Sequence, residues 1–104
     1  MADAPDWLAR SQEAGHLLSQ GRADDAVLIF KEVARANPKV ADAHNNLGVA
    51  LKATGRLKEA VDGYRRALKL QPGFDVARLN MARVLRQLGR NEENLRALAI
   101  ALRN

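Results

Sequence analysis

Cysteine is absent from this 104-residue chain, so disulfides, thiolate zinc sites and thiol nucleophiles are all excluded. Aromatic residues make up only 4% and prolines number three, a composition that suits packed helices better than a β-sandwich. Apolar runs such as Ala26-Val27-Leu28-Ile29-Phe30 are far too short to span a bilayer. The opening stretch, Met1-Ala2-Asp3-Ala4-Pro5-Asp6, lacks the apolar core of a secretion signal, so a cytoplasmic chain is expected. What is present is 47% hydrophobic and 28% charged, enough for one small folded domain with one core. The net charge of +5 is uneven: residues 1–40 carry −1, while 41–74 and 75–104 carry +3 each. Such a field favours anionic partners without choosing among them.

A repeat organises the chain. Gly21-Arg22, Gly55-Arg56 and Gly89-Arg90 recur every 34 residues, as do Phe30, Tyr64 and Leu98, and Leu17, Leu51 and Leu85. Val27, Val61 and Leu95 follow the same interval, and so do the small residues Ala14, Gly48 and Ala82. Pro38 and Pro72 punctuate the ends of the first two units. Within a unit the apolar spacing is helical: Ala43, His44, Leu47, Gly48 and Leu51 form one series and Leu57, Ala60, Val61, Tyr64, Ala67 and Leu68 another. The spacing predicts helices over 7–20, 23–36, 41–54, 57–70, 75–88 and 91–103, an all-α stack of three hairpins with six helices. Gly48 is expected to face Ala60 where the helices approach most closely. One hairpin cannot bury both its apolar faces, so neighbours must stack.

This pattern of small residue, Gly, Ala, aromatic, Ala and Pro, filled in the second unit by Gly48, Gly55, Ala60, Tyr64, Ala67 and Pro72, resembles the tetratricopeptide repeat. The resemblance implies a right-handed superhelix over 1–104, with repeats at 7–40, 41–74 and 75–104, and a non-catalytic protein-interaction role. Three features depart from it. Asn94 replaces the small alanine, Arg10, His44 and Arg78 replace a large apolar residue, and Glu13 stands where Leu47 and Met81 suggest core. The segment from Ala43 to Leu57 also looks like the repeats of O-linked N-acetylglucosamine transferases. In that family an asparagine ladder holds the backbone of an extended peptide, a role the resemblance gives to Asn46 and Asn80, with Gln12 a conservative departure. The carboxylate clamp of chaperone-binding repeats is matched only at Asn46, and Ser11, Gly15 and Val76 do not fit it, so that mode is not expected.

No catalytic constellation is visible. His16 and His44 lie on different helices without patterned carboxylates, and neither a zinc-helix motif nor a glycine-rich phosphate loop occurs. No cofactor and no metal are expected. The face of each first helix opposite its core is richer in amides and small residues than a solvated face would be. Gln12, Asn46 and Asn80 are the candidates for backbone pairing, Val49 and Leu79 for apolar contact, and Lys52, Arg83 and Arg86 for acidic groups, with Asn45 flanking the same peptide-binding face. The expected partner is a protein or peptide segment of acidic character. Membranes are not expected, nor nucleic acid, because platforms for base stacking are few. The third repeat ends without a capping helix, which leaves Leu95, Leu98, Ile100 and Leu102 as candidates for self-association. Two other readings stay open: a homo-oligomerisation module, and a piece of a larger enzyme such as a glycosyltransferase.

Overall fold

The computed structural model describes residues 6–103, with the side chains at 94, 98 and 101–103 left aside. Five helices follow one another: α1 (Asp6–Ser19), α2 (Ala23–Ala36), α3 (Ala41–Ala53), α4 (Leu57–Leu70) and α5 (Asp75–Arg103). Two hairpin turns, α1 to α2 and α3 to α4, are built alike. Gly21 and Gly55 adopt φ of +79° and +82°, a region hindered for any residue with a Cβ. The Arg22 amide donates to the Leu17 carbonyl and the Arg56 amide to that of Leu51, each at 2.9 Å, while Gly21 and Gly55 donate to Leu18 and Lys52. This paired bonding satisfies carbonyls that a helix end would otherwise leave bare. The Thr54 hydroxyl adds a bond of 2.8 Å to the Leu51 carbonyl.

Packing follows the repeat. Ala14, Ala26, Val27, Phe30, Leu51, Ala60, Val61, Tyr64 and Val84 form one buried cluster linking all five helices. Tyr64 lies at its centre, fully buried, with its ring over Gly48: a Cβ on Gly48 would stand 2.6 Å from the ring. Gly48 therefore makes room for Tyr64, and the closest backbone approach belongs to Gly63, whose own Cβ would lie 3.3 Å from the Gly48 Cα. Glu13 is exposed where Leu47 and Met81 are half-buried, because among the described residues no helix precedes α1 to cover it.

Burial pushes the Tyr64 phenol up from 10.0 to about 12. The folded state thus favours the neutral phenol, and the associated stability is complete below pH 10 and lost as pH rises toward about 12. Tyr64 is the sole tyrosine, so tyrosinate absorbance reports this group alone. Urea titrations across that range should show a loss of stability that Tyr64→Phe abolishes; an equal loss in the variant would place its cause elsewhere.

The third repeat departs from the expected six helices. The predicted helices 75–88 and 91–103 are one rod of 29 residues, about 44 Å long, running straight through Gly89. This rod stretches the molecule to 69 × 30 × 19 Å. Glycine permits a turn but does not compel one. In the first two repeats the returning helix is covered on a further side, α2 by α3 and α4 by α5. Among the described residues nothing covers 91–103 in that way, so folding back would bury less, while continuing preserves every backbone bond. No helix among the described residues is long and apolar enough to cross a membrane.

Candidate functional site

Position four of each repeat, polar where a large apolar residue is usual, ties the chain together. His44 Nε2 donates to the Pro38 carbonyl at 2.9 Å, and the Arg78 guanidinium donates to the Pro72 carbonyl, each reaching back six residues across a repeat junction. Arg78 also pairs with Asp75 at 3.0 Å. In the first repeat Arg10 pairs with Glu32 on α2 instead. His44 is buried and His16 exposed, on separate helices. Sequence reasoning flagged these positions as departures but not as ties; the signal was a proline and a basic donor recurring together at the repeat interval.

The odd-numbered helices lie side by side, α1 by α3 and α3 by α5, with backbones closer than those of α2 and α4. Closer spacing on one side curves the stack, so α1, α3 and α5 line its inner hollow. Gln12 is exposed there, and Asn46 and Asn80 are half-buried. Asn45 is buried, and its Oδ1 accepts a long bond of 3.4 Å from Asn80 Nδ2, which places it in the wall between α3 and α5. Val49 is half-buried against the main core, while Leu79 is 53% and Val76 57% exposed. Lys52, Arg83 and Arg86 are exposed and belong to none of the ion pairs among the described residues. The helices on this side thus carry carboxamides, two exposed aliphatic groups, and cations outside the ion pairs among the described residues. Carboxamides of this kind can pair with backbone groups of an extended chain, and such cations with acidic side chains.

A separate cleft of about 520 Å³ opens on the even-helix side. Its walls carry both signs, Lys31, Arg35 and Arg66 against Glu59 and Asp62, over the buried His44. No group of three or more His, Asp or Glu able to hold a metal occurs among the described residues. Of the self-association candidates, Leu95 is 66% and Ile100 59% exposed. Leu98 and Leu102 lie outside the residues whose side chains are described.

The model of the tetratricopeptide repeat matches residues 11–75, more than half of the chain. The chain belongs to the tetratricopeptide repeat family. Among curated relatives, the small glutamine-rich tetratricopeptide repeat-containing protein 2 of Mycosarcoma maydis is 31% identical over 78 residues, covering 75% of this chain and 22% of that protein. The peroxisomal targeting signal receptor of Saccharomyces cerevisiae is 39% identical over 59 residues, covering 57% of this chain and 10% of the receptor. The chain therefore spans about a fifth or less of the length of these relatives. Among solved structures, a MamA mutant superposes with a TM-score of 0.72 at 33% identity, over 94% of this chain and 72% of that one. The second tetratricopeptide domain of Spaghetti (RPAP3), solved with an HSP90 peptide, gives a TM-score of 0.76 over 92% of this chain and 89% of its own. At 16% identity that likeness shows the fold alone.

Proposed function

We propose that the hollow lined by α1, α3 and α5 binds an extended, acidic peptide segment without sequence-specific chemistry on its backbone. The observation that carries this reading is the company Asn46 and Asn80 keep: carboxamides on the inner side, flanked by Lys52, Arg83 and Arg86, with no ion pair engaging those cations among the described residues. The resemblance to the asparagine ladder of O-linked N-acetylglucosamine transferases supports it, as does kinship with a receptor named for a targeting signal. Gln12 extends the row on α1, Leu79 supplies apolar contact, and Val49 stiffens the floor beneath it.

The test is binding of fluorescent acidic peptides, read by polarisation. Replacing Asn46 and Asn80 together by Ala should weaken binding about tenfold or more, since each lost bond to a desolvated backbone is worth about 1 kcal/mol. The thermal midpoint should barely move, because neither residue is fully buried and the Asn80–Asn45 bond is long. An equal loss of stability and binding would mark the amides as structural and remove the site.

A further inference from the structure

We propose that residues 91–103 of α5 are exchanged between two copies of this chain, each copy supplying the returning helix that the other's third repeat lacks. The repeat register carries the inference. Shifted by 34 residues, Leu95 corresponds to Val27 and Val61, which are 2% and 4% exposed, yet Leu95 is 66% exposed. Leu85 corresponds to Leu51, which is 3% exposed, yet Leu85 is 42% exposed. Ala82 and Ala97 correspond to Ala14 and Ile29, which pack in the core of the first hairpin with their side chains in place, and to the buried Gly48 and Gly63 of the second, yet both alanines are exposed. The two halves of one interface are therefore both present and both bare. Lying on one straight rod, they cannot meet within a chain: positions 82 and 97 are about 22 Å apart along the axis.

A second copy supplies the geometry directly. In the closed second hairpin position 48 lies against 63, and the same offset sets 82 against 97, a pairing centred between residues 89 and 90. Two α5 rods laid antiparallel about a two-fold axis through that centre make this pairing twice, once on each side. The register leaves two polar intrusions, Asn91 at the place of Leu57, which is 8% exposed, and Asn94 at the place of Ala26 and Ala60, which are fully buried. The proposal concerns α5 alone and stands apart from the hollow.

Because the chain has no cysteine, engineered thiols test it cleanly. Ala82→Cys and Ala97→Cys chains, mixed and mildly oxidised, should yield mainly the mixed disulfide, since such a bond needs Cα atoms within about 4.4–6.8 Å. The double variant should give a covalent dimer. A disulfide closed within one chain, or a dimer lacking the 82–97 link, would overturn the exchange, as would a monomer at several hundred micromolar in sedimentation. Leu95→Glu, at a site exposed within the single chain, should leave the fold intact and weaken the dimer about tenfold or more. Gly89→Ala separates the geometries independently: it strengthens a continuous helix and should raise or keep the thermal midpoint and the dimer. A lowered midpoint would mean that Gly89 turns as Gly55 does, and the exchange would fall.

Discussion

Tyr64→Ala is expected to lower the unfolding free energy by about 3–5 kcal/mol, the range for emptying a large buried aromatic site. The side chain is fully enclosed in the cluster that joins all five helices, so no single neighbour can relax into the space. Small domains hold only about 5–15 kcal/mol in total, so this variant should forfeit a large share of the stability and unfold at a much lower urea midpoint. Urea denaturation followed by helical circular dichroism measures the loss. Leu28→Ala serves as the contrast: at 64% exposure its removal should cost less than about 0.5 kcal/mol. A Tyr64→Ala loss as small as that would mean the repeats do not share one core.

Gly63→Ala should destabilise by about 1–3 kcal/mol, although alanine is the better helix former. The added methyl would stand 3.0 Å from the His44 carbonyl oxygen and 3.3 Å from the backbone of Gly48. Backbone cannot rotate aside, so α3 and α4 must separate, and the loss should appear as a lower urea midpoint. Gly48→Ala meets the Tyr64 ring first, at 2.6 Å, and a smaller partner at 64 should relieve that contact. Stabilisation by Gly63→Ala would show that the helices have slack at their crossing.

Much of this architecture was legible because the repeat states each rule three times. The first four helices run within a residue or so of the expected bounds, and the recurring Gly21 and Gly55 fall at the turns between them with positive φ. Gly89 carries the same letters and behaves differently. A glycine sets what the backbone is free to do, while the choice lies with how much surface a return would bury, which no local motif encodes. The Gly48–Tyr64 contact, in place of Gly48 against Ala60, was hidden for a related reason: helical spacing assigns a face but not the partner opposite it. The hollow was legible at the level of helices. Its finer sorting was not, since Asn45 and Asn46 are adjacent, yet Asn45 is buried and bonded to Asn80 on α5 while Asn46 is half-buried. Position four was readable as an anomaly, but only coordinates reveal that a side chain reaches a carbonyl six residues back.

Those backward reaches have a mechanical consequence. A short imidazole spans the first seam and a long guanidinium the second, held at the same time by the carboxylate of Asp75. The first seam is a pin and the second a tether. Bending under load should concentrate at Pro72, so the arc changes its pitch by swinging α5 while α1 to α4 travel as one block.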